Sequence, residues 1–187
     1  MDIVRANASD LTEIVQLLKE SLGEKLMPKS EAFFSWKHFH NPFGDSVVLL
    51  AKEQGKLVGI RAFMKWQWTN NEQTCSAVRA VDTATHPDFQ GKGIFSKLTM
   101  EAVKVCKQNN TGFVFNSPNK VSINGYLKLG WYSNGKMPML IKPLFKLPLK
   151  IKDSQIEKAY HQFSIEKALD QLHPGWSLKQ KSSTFVT

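Results

Sequence analysis

The strongest chemical signal in the chain is the run Gln90-Gly-Lys-Gly-Ile-Phe95. A strand pattern ending near Thr85 passes through the corner His86-Pro87-Asp88 into this turn, and an apolar-periodic helix opens directly from it. Unpaired backbone N–H groups at such a helix start, with the positive end of the helix dipole, hold a phosphate or pyrophosphate without any side-chain charge. Gly91 and Gly93 let the backbone come close to that anion. A bare glycine pattern is weak evidence by itself. The strand before it and the helix after it are what point to an anion site.

The elements that must carry this turn can be read from periodicity. Asp2 to Arg5 reads as a first strand, and Ser9-Asp10 as the cap of a helix with Leu11, Ile14, Val15, Leu18 and Leu22 on one face, ended by Gly23. A second helix from about Ser30 to His40 is rich in aromatics (Phe33, Phe34, Trp36, Phe39). Its rings suit either packing or the lining of an acceptor pocket. Three strands follow as an antiparallel meander, Ser46 to Lys52, Lys56 to Thr69 and Glu72 to Thr85. In the middle one, Val58, Ile60, Ala62, Met64, Trp66 and Trp68 alternate with Arg61, Lys65 and Gln67, the pattern of a half-buried strand. The helix after the glycine turn spans Gly93 to Gln108 with a stripe of Ile94, Leu98, Ala102 and Val105, and Gly112 to Ser117 reads as a short buried strand. Strand, helix and strand then form a crossover with parallel outer strands. A helix of about ten residues ends at Gly130, and Trp131 to Ile141 reads as a further strand.

Two spacings in this stretch resemble one known family. Gln90, Gly93 and Phe95 stand at the places of motif A of the GNAT superfamily of acyl-CoA-dependent N-acyltransferases, with phenylalanine where that family has glycine or alanine. Asn119, Ser122, Tyr126, Lys128, Gly130 and Trp131 follow a second spacing common in GNAT sequences, so the likeness spans residues 81 to 132. The resemblance implies an α/β (α+β) fold, a mixed and mostly antiparallel sheet with helices on both faces and a splayed βαβ site. It implies acetyl-CoA as co-substrate, no metal, and a primary amine of a small molecule or amino sugar as acceptor. The pantetheine arm would pair with backbone at Thr83, Ala84 and Thr85 and meet Asn119. The pyrophosphate would rest on the N–H groups of Gln90, Gly91, Lys92, Gly93, Ile94 and Phe95, with Lys92 adding charge. Tyr126 resembles the family's general acid, and a phenol, protonated at neutral pH, has a proton to give a departing thiolate.

A general base is left open by the residues. Asp82, among Val78, Ala80 and Ala84 on one strand face, is the first candidate, since burial there would raise its pKa; a plain hydrogen-bonded strand carboxylate is the alternative. His86 in the turn is the second, with a structural role as its alternative. His38 and His40, two apart on a helix, do not face one another and make a poor metal pair.

Composition bounds the rest. With 187 residues, 42% apolar and 22% charged, the chain has the make-up of a soluble globular domain, read as cytoplasmic because Met1 to Arg5 has no secretory layout. The net charge of +9 suits a polyanionic partner such as CoA. No nucleic-acid-binding signature accompanies it, and no apolar run is long enough to span a membrane. Cys75 and Cys106 read as reduced buried thiols. Residues 1–142 are expected to be the catalytic core, acting as monomer or homodimer. Residues 143–187, opening with Pro143 and Pro148 in a Leu/Lys-rich stretch, are expected to be an extension with a loop, a helix at 156–172 and a closing strand at 176–186. A GNAT-like module that binds acyl-CoA or a partner without turnover is the competing reading.

Overall fold

The computed structural model describes residues 1–24, 28–70 and 73–133. The expected strand beyond Ser133 and the whole extension from 143 to 187 lie outside the described residues. Residues 1–68 and 74–131 form one compact unit. The strands are β1 (Asp2–Arg5), β2 (Val47–Glu53), β3 (Lys56–Asn70), β4 (Gln73–Thr85) and β5 (Phe113–Phe115), and the helices are α1 (Leu11–Leu22), α2 (Glu31–His38), α3 (Ile94–Gln108) and α4 (Ile123–Lys128). The strands lie in one sheet in chain order, antiparallel from β1 to β3, with β4 and β5 parallel across the α3 crossover. This is the expected mixed α/β architecture, and no helix among the described residues is long and apolar enough to cross a membrane.

Two apolar layers hold the sheet. On one face Val58, Phe63, Val78 and Ala80 pack with Ile94, Leu98 and Ala102 of α3 and Tyr126 of α4; on the other Ile60, Ala62 and Ala84 pack with Ile14, Leu17 and Leu18 of α1 and Phe34 of α2. Because both faces are covered, β3 is not half-exposed as its alternation suggests, and Arg61 is fully buried rather than solvated. The α1 start also differs in detail. Asn7 and Asp10 form a reciprocal capping box around the turn Ala8–Asp10, and Asp10 continues to Lys52 at 2.9 Å. Of the two free thiols, Cys106 is buried and pushed up to about 11 by that burial, whereas Cys75 is only half-buried.

Helix α3 can approach β3 because Gly59 has no side chain. A Cβ there would stand 2.6 Å from Ile94 Cγ2 and 3.2 Å from Leu98 Cδ1, both in the packed core. Gly59→Ala is therefore expected to lose about 1–3 kcal/mol of stability through overpacking. Urea unfolding of the two proteins measures it, and an unchanged midpoint would mean that α3 moves outward at no cost.

Candidate functional site

The sheet opens where β4 outruns β5. Their parallel register covers only Ala77, Val78 and Arg79 against Phe113, Val114 and Phe115. Beyond Arg79 the strand continues six residues to Thr85, still tied to β3 where the His86 N–H donates to the Val58 carbonyl. Six residues at a strand's rise make about 20 Å of β4 edge with no β5 ladder beside it. Among the described residues no strand pairs with this edge of β4, and such an edge presents N–H and C=O groups to an extended ligand. Thr83, Ala84 and Thr85 lie on it, with the Ala84 side chain in the core and the Thr85 carbonyl accepting from Ser21 Oγ at 3.3 Å.

The edge leads into the glycine turn. Gly91 and Gly93 have φ of 76° and 75°, the left-handed region that favours glycine, and a Cβ on either would meet nothing within 4 Å. Gly93 is the N-cap of α3 and no side chain caps that helix. The turn from Gly91 to Gly93 is exposed, and the first N–H groups of a helix have no intrahelical partner, as an anion site requires. Gln90 reaches back to the Thr85 carbonyl at 3.5 Å, and Lys92 Nζ lies 4.3 Å over the Phe89 ring. Ile94 contributes its side chain to the core, so only its backbone faces outward. These residues fit a ligand with a pyrophosphate and an amide-bearing arm.

Phe95, the departure from the glycine-or-alanine pattern, turns away from the anion turn. Its ring meets Tyr126 edge-on at 5.3 Å and approaches Gly125, where a Cβ would stand 3.0 Å from Phe95 Cε1. The phenylalanine thus seats α4. Tyr126 is buried between Phe95 and Trp131, with ring centroids 4.7 Å apart in the second pair. Asn119 is exposed at the turn before α4, where its Oδ1 accepts from the N–H groups of Val121 and Ser122 at 3.1 and 2.9 Å. That leaves its Nδ2 as the donor for other partners. The helix itself is six residues long, shorter than the ten expected, because this Asn119 turn occupies its first part.

Asp82 differs from expectation in both face and ionisation. Strict alternation after Ala80 would send it toward α3, but its φ of 40° breaks the alternation and turns it toward α2. There Lys37 Nζ and His38 Nε2 both donate to Oδ2 at 2.7 Å. Burial pushes the carboxyl up, as expected, but the His38 hydrogen bond and the Lys37 ammonium outweigh it and hold the group down to about 2. His38 is fully buried, and that burial keeps its pKa below the ordinary imidazole range despite the pull of Asp82. The imidazole is therefore neutral, with its proton on Nε2.

Beside this cluster, Lys37 also lines a recess of about 170 Å³ formed with Trp36, Asn41, Pro42, Phe43, Met64 and Trp66. Of the α2 rings, Phe34 is in the core, while Phe33 and Trp36 stack at 5.8 Å on the surface. His86 belongs to its turn, accepting the Asp88 N–H on Nδ1 at 3.3 Å, and His40 turns back to Ser35. Sequence reasoning missed Lys37, His38 and Arg61 as site neighbours. A Lys-His pair ending an aromatic helix was the available signal for the first two, whereas Arg61 falls with Lys65 and Gln67 on the polar side of the β3 alternation and carried none.

Known proteins share this fold. The acetyltransferase (GNAT) domain family matches residues 2–133. A Clostridium acetobutylicum protein described as a predicted acetyltransferase, solved with acetyl-CoA, superposes with a TM-score of 0.63 at 17% identity, over 75% of this chain and 95% of its own. An aminoglycoside acetyltransferase from an uncultured soil metagenomic sample gives 0.61 at 17% identity, over 77% and 98%. A transcriptional regulator of Bacillus halodurans C-125 gives 0.60 at 19%, over 75% and 99%. No curated protein matches. Identities this low speak for the fold alone, but the domain match covers well over half of the 187 residues, together with the open β4 edge and the glycine turn, and on it the chain belongs to the GNAT acetyltransferase family.

Proposed function

We propose that the chain transfers the acetyl group of acetyl-CoA to a primary amine of a small molecule. The observation that carries this reading is the open stretch of β4 between Arg79 and Thr85, which leads through the short turn of residues 86–93 to the uncapped start of α3. Bound acetyl-CoA would supply a thioester. The N–H groups from Gln90 to Phe95 would hold its pyrophosphate, and the β4 edge at Thr83 to Thr85 and Asn119 Nδ2 would hold its arm. Tyr126 would then give its proton to the departing sulfur.

On the opposite face, Asp82 is an anion at neutral pH and too weak a base to strip an ammonium. Its Oδ2 is taken by Lys37 and His38, which leaves Oδ1 to accept an amine N–H and aim the nitrogen's lone pair. The neighbouring recess is almost wholly apolar, which supports an amine carrying an apolar or aromatic body over an amino sugar. In this reading residues 1–142 are the catalytic core and 143–187 an extension.

Isothermal titration with acetyl-CoA tests the donor site. The parent chain is expected to bind saturably, and Gly93→Asp to weaken binding at least about tenfold by setting a carboxylate against the pyrophosphate. Space around Gly93 is open but its φ of 75° strains any side chain, so Gly93→Asn is the uncharged control and the loss of Gly93→Asp beyond it reports charge. Absence of binding by the parent would overturn the reading. Binding without turnover across apolar and sugar amines would mark a GNAT-like acyl-CoA-binding module instead.

A further inference from the structure

Arg61 is the costliest feature of the core. A guanidinium is buried only when its charge and donors are matched, yet this side chain is fully buried on β3 and no carboxylate pairs with it among the described residues. Its Nη1–H donates to Thr83 Oγ1, while Nε and Nη2 find no acceptor. It lies 4.9 Å over the Tyr126 ring, 4.9 Å over Phe63 and 5.2 Å over Phe95, and burial lowers its pKa while the Tyr126 hydroxyl pulls it back up. Thr83 stands on the open β4 edge and Tyr126 on α4. One buried cation therefore bridges the donor edge and the phenol, with hydrogen-bonding capacity to spare.

We propose that Arg61 is a positioning residue for acetyl transfer, holding the Tyr126 hydroxyl against the β4 edge and balancing the negative charge that the hydroxyl gains on losing its proton. The proposal rests on the reading of Tyr126 as the acid. In the step, the amine nitrogen bonds to the acetyl carbon and the carbon–sulfur bond breaks with its electron pair on sulfur. Sulfur takes the Tyr126 proton, the nitrogen gives up one of its own protons to solvent as the amide forms, and the O–H pair stays on the phenolate oxygen beside the guanidinium until solvent returns a proton. Among the described residues, the ring and hydrogen-bond partners of Tyr126 and Arg61 are Phe63, Phe95, Trp131 and Thr83, which do not titrate, so Arg61 is the group there able to answer that charge.

The test compares the parent with Arg61→Met and Arg61→Lys. Arg61→Met is expected to lower kcat about 10²-fold with the KM for acetyl-CoA nearly unchanged, and Arg61→Lys to restore part of the loss. A second readout needs no turnover. The parent is expected to prefer CoA over desulfo-CoA in titration calorimetry, increasingly so from about pH 7 to about pH 9 as the thiol ionises, and Arg61→Met to lose that preference. An unchanged kcat, or an equal loss of affinity for CoA and desulfo-CoA, overturns the proposal while the acetyltransferase reading stands. If Arg61→Met does not fold, Thr83→Val, which removes the guanidinium's acceptor but keeps the volume, must lower kcat at constant KM, and no change there overturns it. A parent that neither binds nor turns over acetyl-CoA brings down both readings.

Discussion

Tyr126→Phe is expected to lower kcat about 10²–10⁴-fold while acetyl-CoA binding stays nearly unchanged. The substitution removes one oxygen from a ring whose contacts are otherwise kept, since the edge-on packing with Phe95 and the tilted packing with Trp131 involve only the aromatic carbons. The donor turn from Gln90 to Phe95 and the β4 edge do not depend on that oxygen. What is lost is the proton a departing thiolate needs. Deleting the hydroxyl also takes a neighbour from Arg61, whose Nε and Nη2 already lack acceptors, so a stability loss of roughly 1 kcal/mol is expected beside the rate effect. Steady-state thiol release at saturating amine, with calorimetric binding of acetyl-CoA alongside, separates the two. An undiminished kcat would remove Tyr126 as the acid.

Much of the turn and edge that would form the proposed donor half was legible in the sequence because backbone makes them. A turn with left-handed residues at Gly91 and Gly93, between a strand and an apolar helix, leaves a local signature that needs no knowledge of distant contacts. The order of strands and helices was readable for the same reason, as was the parallel β4–β5 pair. The acceptor half depends on contacts far apart in the chain. Lys37 and His38 meet Asp82 across 45 and 44 positions, and only the break in alternation at φ 40° brings them together. Burial alone argued for a raised Asp82 pKa; two donors from α2 reverse the sign. Arg61 fell to the same limit. Alternation along β3 implied a wet face, but α3 and α4 cover that face, and a strand's own pattern does not record what packs over it.

Asp82→Asn is the sharpest test of the acceptor half, because asparagine keeps the shape and tolerates the left-handed backbone that Asp82 adopts. The ordinary carboxyl value is 3.8 and the folded one is about 2, so the charged form is favoured by folding. Stability from this group is fully present above the unfolded value and fades as pH falls through about 2. Near neutral pH the variant is expected to be less stable by about 2 kcal/mol. Urea unfolding at a series of pH values should show the parent's advantage shrinking from about pH 5 downward, whereas a gap that stays constant would assign the loss to packing instead. The same charge orients the acceptor in the proposed reaction, so Asp82→Asn is expected to raise the amine KM and leave acetyl-CoA affinity untouched. In the proposed reaction stability and amine recognition draw on one carboxylate, whose two oxygens divide the work: Oδ2 binds α2 to the sheet, and Oδ1 would receive the nitrogen that must attack.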